Sequence, residues 1–362
     1  MANDAAEEPK LTPEALLGLD EAPRKRRREA EEEPSYYDIS LLKPPVWTPE
    51  VAAYFFLGGL SAGAFLIARC AERCGDKNSR EITRLGAYLS AAAALPCAPL
   101  LIKDLGDPKR FHHMLRVFKP TSPMNFGTWV VTVFSAVSMS AAFRAWLRAK
   151  EDDKPMKGFT RFLDQSIGTG ADVIGAPTAI MLAGYTGVLL STTSTPVWCK
   201  NRWLGALFTA SAMGAGASAI DLALETKAPA APSQDSKQVE IVAKIETAAH
   251  IAEAAALAGY LAEAGELAKP LTKGKQAPFL WAGAVAAGLI LPTVLRHAPT
   301  QARWRKGLRI AASVLALVGG AALRWAFVEA GKESAEDPDA ARKSSRARTA
   351  NDALGQYEQA PK

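Results

Sequence analysis

The sequence predicts an all-α integral membrane protein, a bundle of eight transmembrane helices with disordered polar termini. Three observations carry this expectation. Between Tyr54 and Val328 run eight apolar stretches, each close to the 20 or so residues that span a hydrocarbon core of ~30 Å. Ser61–Ile67, Leu85–Ile102 and Gly175–Leu190 show almost no polar face, whereas a soluble helix shows one on its outer side. The ends are of a different kind: 1–46 and 330–362 are charged and nearly free of apolar runs. The mean hydropathy of zero averages the two.

The expected organisation is a charged tail over 1–46, a membrane domain over 47–329 and a second charged tail over 330–362. Glu7–Glu33 mixes acids with the block Arg24-Lys25-Arg26-Arg27-Arg28, a composition typical of disorder. That block is either a solvated segment or a contact for anionic membrane lipid. Met1–Val46 has no apolar signal-peptide core, so the first membrane helix is expected to direct insertion. No nucleic-acid partner and no metal are expected. Cys70, Cys74, Cys97 and Cys199 lack the thiolate runs that hold iron–sulfur clusters.

Helices are expected near 50–70, 82–102, 125–147, 171–192, 203–224, 239–262, 277–295 and 307–328, the fifth and sixth being the least hydrophobic. Trp47 precedes the first at an interfacial position. Gly59 and Gly63 are four apart and make one smooth face, which suits close helix packing. Tyr54 lies about a turn inside the membrane, where its hydroxyl needs a partner. The second helix runs out into Lys103–Phe111, where Asp107-Pro108 starts a turn. A short amphipathic piece with His112, His113 and Arg116 follows, then Lys119–Trp129 leads into the third helix. From spacing alone this loop either caps a polar pocket or is a rigid interfacial connector.

Eight spans put both termini on one side. The four connections on the other side hold 18 Lys and Arg residues, Arg69, Arg144, Arg148 and Arg296 among them; the three on the terminal side hold 10. The excess marks the first group as cytoplasmic. The chain is then expected to be multi-pass in a bacterial inner membrane, with both termini periplasmic.

Phe55–Gly63, Asp104–Phe111, Lys119–Trp129, and Gly184–Leu190 followed by Pro196-Val197-Trp198 resemble the NrfD/PsrC family. Members of that family are the membrane subunits of polysulfide-reductase-type complexes. The resemblance covers roughly 44–328 and is sharpest over 44–200. It implies a chain that binds a quinone, menaquinone or ubiquinone, without haem or cluster of its own. It implies a docked four-cluster ferredoxin-like iron–sulfur subunit beside a molybdopterin catalytic subunit. The family's quinone-contacting tyrosine matches Tyr185. The first-helix contact positions fall at Val51 and Tyr54, and Val51 has no side-chain donor. The acidic–Pro–Arg–Phe loop matches Asp107-Pro108 and Arg110-Phe111.

Alternating spans place Tyr54, Asp104, Asn125, Tyr185 and Arg324 on the terminal side, as a single head-group pocket requires. In that pocket Tyr54 and Tyr185 are expected to bind the quinone oxygens. Asp104 is expected to exchange the protons, and Arg110 or Arg324 to stabilise the anion, with the partner docked over 103–125. No residue of this chain is expected to be catalytic by itself.

Glu246, His250 and Glu253 lie at i, i+4 and i+7, on one helix face. Ionisable groups cost roughly 2.5–3.5 kcal/mol each at the centre of a bilayer on insertion scales. Three readings remain open at this point: a proton path, a static network with Arg324, Asp221 or Asp172, and a partly solvent-lined helix. Asp172, Asp221 and Glu225 read as caps or interfacial groups. A single intramembrane histidine does not supply two haem ligands, since His112, His113 and His297 fall at or beyond the interfaces. The alternatives to a quinone-reactive subunit are a proton-translocating module or secondary transporter, and a passive anchor.

Overall fold

The computed structural model describes residues 40, 42–75, 79–150, 158–227, 236–297 and 302–345. The described residues form helices and short connections with no strand. Helix α1 is Pro49–Cys74. Pro49 sits in its first turn, where a missing N–H costs nothing. Gly75 closes it in the left-handed conformation at φ 68°, donating to the Glu72 carbonyl. The second crossing is α2 (Ser79–Ala94) and α3 (Cys97–Asp104), broken at Pro96. A short α4 (His113–Arg116) lies in the loop before α5 (Pro123–Lys150).

The fourth crossing joins α6 (Gly158–Gly170) to α7 (Ala176–Ser191) through a π-helical turn, Ala171–Gly175. Then come α8 (Trp203–Lys227), α9 (Ser236–Ala264) and a short α10 (Lys269–Thr272). A longer π segment, Phe279–Ile290, runs into α11 (Leu291–His297), and α12 (Ala302–Glu336) ends the bundle. The two π segments have a common cause. A proline inside a helix clashes with the carbonyl four residues back. For Pro177 and Pro292 those carbonyls belong to Val173 and Gly288, and both lie inside the widened turns.

Among the described residues, seven helical stretches are long and apolar enough to cross a membrane: Pro49–Cys74, Ser79–Asp104, Pro123–Lys150, Gly158–Ser191, Trp203–Lys227, Phe279–Arg296 and Trp304–Glu336. The chain is therefore a multi-pass membrane protein. The stretch expected as the sixth span forms a helix, α9, of 29 residues. It carries Lys237, Glu240, Lys244, Glu246, Glu253 and Glu263, and is not apolar enough to join those seven.

Small residues set the spacing at the centre. A side chain on Gly63 would enter the backbone of Ala212 in α8, and one on Gly216 would enter that of Gly63. Gly86 of α2 meets Ala64 and Ala68 in the same way. The smooth face of α1 is thus a packing surface, with Phe55, Ala62 and Phe65 all buried beside it.

At one end of the bundle Arg69, Arg144 and Arg148 interleave with Glu72, Asp164 and Asp172. Arg144 contacts Glu72 at 2.6 Å and Asp164 at 3.0 Å, and Arg69 contacts Asp172 at 2.5 Å. These arginines, expected as loop cations, are helix-borne and tie α1, α5 and α6 together. The reason is that α5 runs on to Lys150 and the fourth crossing begins at Gly158, so their charges stay within the helices and pair there.

At the other end Ser40 donates to the Ala335 carbonyl at 2.7 Å. Trp47 stacks on Trp198 with centroids 5.2 Å apart, and the Trp198 indole donates to the Phe327 carbonyl at 2.8 Å. The expected tail over 330–362 begins later than its charge suggests. The chain is helical to 336 and again over 338–345, because Ala330, Ser334, Ala335 and Ala341 present a buried face. Residues 346–362, most of 1–46 with the Arg24–Arg28 block, and Lys77, Lys154 and Lys157 lie outside the described residues.

Replacing Gly63 by Leu forces a side chain into the α8 backbone, whereas Gly307 has no heavy atom near its missing Cβ. Overpacking costs about 1–3 kcal/mol or more. Unfolding of the purified chain in detergent is expected to show that loss for G63L and none for G307L.

Candidate functional site

The tyrosines lie in one region of the bundle. Tyr54, 3% exposed, is within electrostatic range of Cys97 of α3 and of Tyr185 of α7. Tyr185 donates its hydroxyl to the Pro123 carbonyl at the start of α5. Gly127, one turn on, is needed there, since a Cβ would run into the Tyr185 ring. The Tyr54 hydroxyl has no hydrogen-bond partner among the described residues. Beside Tyr185, with centroids 6.2 Å apart, sits Phe126. Phe126 also lines an open apolar cleft of about 390 Å³ with Phe118, Trp129, Val130, Val133 and Met181.

Three of the other predicted residues brace the surrounding chain. Asp104 accepts from Thr48 N at 3.0 Å and Thr48 Oγ1 at 2.7 Å. This fixes the end of α3 to the start of α1. Asn125 accepts from Lys119 N at 2.7 Å and donates to the carbonyls of Met114 and Val117 at 2.8 and 3.0 Å. It holds the 114–119 loop over the start of α5. Arg110 is exposed and pairs with Asp107 at 3.1 Å.

Arg324 is separate from the tyrosines. Its guanidinium is 2% exposed, lies 4.1 Å over the Phe208 ring and donates to the Phe208 carbonyl at 3.1 Å. It borders Gly59, while the neighbouring Gly58 borders Tyr54. Two adjacent glycines of α1 thus separate the tyrosine pair from a buried arginine.

Glu246, His250 and Glu253 face α8, π2 (the Phe279–Ile290 segment), α11 and α12. All three are buried. Glu246 Oε2 meets Arg296 at 2.5 Å, and its Oε1 accepts from Ser218 at 2.7 Å. Arg296 also meets Asp221 at 2.9 Å, and Ser313 donates to the same Asp221 carboxylate at 2.9 Å. His250 Nε2 stands 3.9 Å from Glu246. Glu253 lies near Ser211 and Arg324. It shares with His250 a cavity of about 10 Å³, roughly one water.

Two of these roles differ from expectation. Arg296, expected in a connection, has a side chain only 6% exposed and sits between two acids. Asp221, expected as an interfacial group, is fully buried. Asp172, a candidate partner for the α9 acids, instead pairs with Arg69. Charge matching carried a usable signal: acids in apolar helices require cations, and Arg296 and Arg324 both lie within or at the end of apolar stretches.

The family described as polysulphide reductase, NrfD, matches residues 39–334. The chain belongs to this NrfD family. A polysulfide reductase chain from Wolinella succinogenes is 29% identical over 307 residues, covering 79% of this chain and 94% of that protein. Protein NrfD of Escherichia coli is 24% identical over 314 residues, covering 79% and 95%. A selenate reductase subunit from Mesobacillus selenatarsenatis is 23% identical over 203 residues, covering 48% of this chain and 46% of that protein. As an NrfD family member the chain is a membrane subunit of an oxidoreductase complex.

Removing Arg296 leaves Asp221 and Glu246 without their shared cation. Breaking a buried ion pair by deleting one partner costs about 3–5 kcal/mol. R296M is expected to lose that much in an unfolding titration, and R296M combined with D221N to recover part of it.

Proposed function

We propose that this chain exchanges electrons between a quinone pool and an iron–sulfur subunit docked on its terminal face. The observation that carries the reading is Tyr185, whose ring centroid is 6.2 Å from that of Phe126 on the wall of an apolar cleft, with Tyr54 in the same region. The Tyr54 hydroxyl is a donor for one quinone oxygen, and Tyr185 serves the other by exchanging its bond to Pro123. The cleft, at about 390 Å³, falls within the range of small-molecule pockets and has the apolar lining an isoprenoid tail requires. Asp104, Asn125 and Arg110 act as positioning residues, holding the loop that roofs the site. That loop exposes Phe111, Val117 and Phe118 among Lys109, Arg110, Arg116 and Lys119, a surface suited to a protein partner. The protein has no electron carrier of its own in this reading, so turnover requires the partner. The names polysulfide reductase and selenate reductase among its relatives favour a reductase subunit as the further partner; that this subunit is of the molybdopterin type is what the family resemblance implies.

In the same reading α9 is an eighth crossing. Ser40 and Ala335 are bonded to each other, so the two described ends lie on one side. An odd number of crossings separates the ends; α9 supplies the even count. The termini are assigned to the periplasmic side on the excess of Lys and Arg in the opposite connections.

A hydrogen bond to a neutral group contributes about 0.5–1.5 kcal/mol, or roughly threefold to tenfold in affinity. In the purified complex, Y54F and Y185F are each expected to weaken quinone binding by that factor and to slow quinol oxidation, while G307A, at a position with open space, leaves binding unchanged. Unaltered binding in both tyrosine variants would overturn the site.

A further inference from the structure

The loop before α5 is fastened to the bundle by residues of the cleft region. Asn125, in the first turn of α5, accepts from Lys119 N and donates to the carbonyls of Met114 and Val117, at 2.7, 2.8 and 3.0 Å. These three bonds make residues 114–119 and the first turn of α5 one unit. Phe118 of that unit packs at right angles to Trp129, with centroids 6.1 Å apart, and lines the cleft. It is nevertheless 55% exposed. Phe118 therefore belongs to two surfaces at once, the wall of the cleft and the outer face of the loop.

The start of a helix is its weakest part, because the first amides have no intrahelical acceptor. In α5 the first residue is a proline, which brings no N–H, and the first turn has no acid to meet the helix dipole. The loop contributes two backbone bonds there, Ser122 N to the Lys119 carbonyl and Phe126 N to the Ser122 carbonyl, both 3.0 Å. Helix α7 adds a side-chain tie, the Tyr185 hydroxyl donating to the Pro123 carbonyl. Gly127 leaves room for it, since a Cβ there would overlap the phenol oxygen. In the regular helix pattern the Gly127 N–H meets the same Pro123 carbonyl. That carbonyl is thus not orphaned when the phenol leaves, and the Tyr185 bond is a removable one.

We propose that Tyr185 is a latch which reports occupancy of the cleft to the docking loop. The proposal rests on the function given above, since the ligand that competes for the phenol is a quinone. With the cleft empty, the hydroxyl holds Pro123 and, through Asn125, the segment Met114–Lys119. A quinone oxygen that takes the hydroxyl withdraws it from Pro123. The first turn of α5 and the loop then have one bond fewer to α7. Val117 and Phe118, with Arg116 and Lys119 beside them, are released to fit the partner. Tyr54, on α1, lies outside this path. Coupling between two sites is reciprocal, so whatever holds the loop in the latched position weakens quinone binding by the same factor.

The test is hydrogen–deuterium exchange of the full-length chain in lipid nanodiscs, read at the amides of residues 114–127. It is run with and without a saturating short-chain menaquinone or ubiquinone, and binding of each quinone is titrated separately. Loss of one hydrogen bond sets the scale at about threefold to tenfold. Quinone is expected to speed exchange of this segment in wild type by that factor. In Y185F the segment is expected to exchange as fast without quinone as wild type does with it, and to respond no further. Y54F is expected to need more quinone but to keep the full response at saturation. The central turns of α8, packed on α1 at Gly63 and Gly216, are expected to exchange at the wild-type rate in both variants, which checks that they are folded. Quinone that binds without speeding exchange at 114–127, or slow wild-type exchange in Y185F before quinone is added, would overturn the latch and leave the quinone site standing. Failure of both quinones to bind wild type would overturn the site and the latch with it.

Discussion

Hydrocarbon does not solvate charge, and the architecture follows from where this chain puts its charges. Helix α9, which is not among the seven apolar crossings, buries two acids, Glu246 and Glu253, as α8 buries Asp221 and Glu225. Such a helix is stable in a bilayer only if other helices surround its acids with cations and hydroxyls. Arg296, Arg324, Ser211, Ser218 and Ser313 are supplied by α8, α11 and α12. These helices are therefore held around α9 by charge pairing as well as by shape. The same constraint acts at the other end of the bundle, where Glu72, Asp164 and Asp172 take up Arg69, Arg144 and Arg148.

Helix α1 links the two regions that carry chemistry. Its small residues bring its backbone against α8, an approach no larger side chain allows. One flank of that contact carries Tyr54, toward α3 and α7; the other faces Arg324, toward α12. A change at the tyrosine pair is thus two glycines away from the guanidinium that balances Glu253. The π segments add to this arrangement. Each accommodates a proline, and the second also lines the small cavity beside His250 and Glu253 with Ala284 and Gly288, while Gly288 lets α12 approach at Gly319.

The apolar stretches are legible because hydrophobic length is a one-dimensional property. So is the packing face at Gly59 and Gly63, whereas the break at Pro96 falls inside a stretch expected as one helix. Tyr54 and Tyr185 emerge together because both lie a turn from the same membrane surface. Arg296 does not, since a cation at the end of an apolar run reads as a loop residue unless its partners are known. The charged stretch after Phe327 reads as a tail for a related reason. Glu329, Lys332, Glu333 and Glu336 mark one face of a helix, and the alanines and serines that bury the other face carry little hydropathy. Asp104 and Asn125 sit where expected, but spacing does not reveal that their polar atoms are taken by Thr48 and by the 114–119 backbone.

The phenols and the buried acids are kept apart for a physical reason. An apolar opening to the lipid suits uncharged donors, whereas buried carboxylates need cations beside them and distance from lipid. One pocket does not meet both conditions. In this protein phenols stand next to the cleft, and the acids stand behind α1, each close to an arginine. Asp104, at the end of α3, is committed to Thr48, and Tyr185 donates its hydroxyl to Pro123. The Tyr54 hydroxyl is left without a partner among the described residues. The guanidiniums lie deep in the bundle instead of beside the cleft because their charges answer to the acids of α8 and α9.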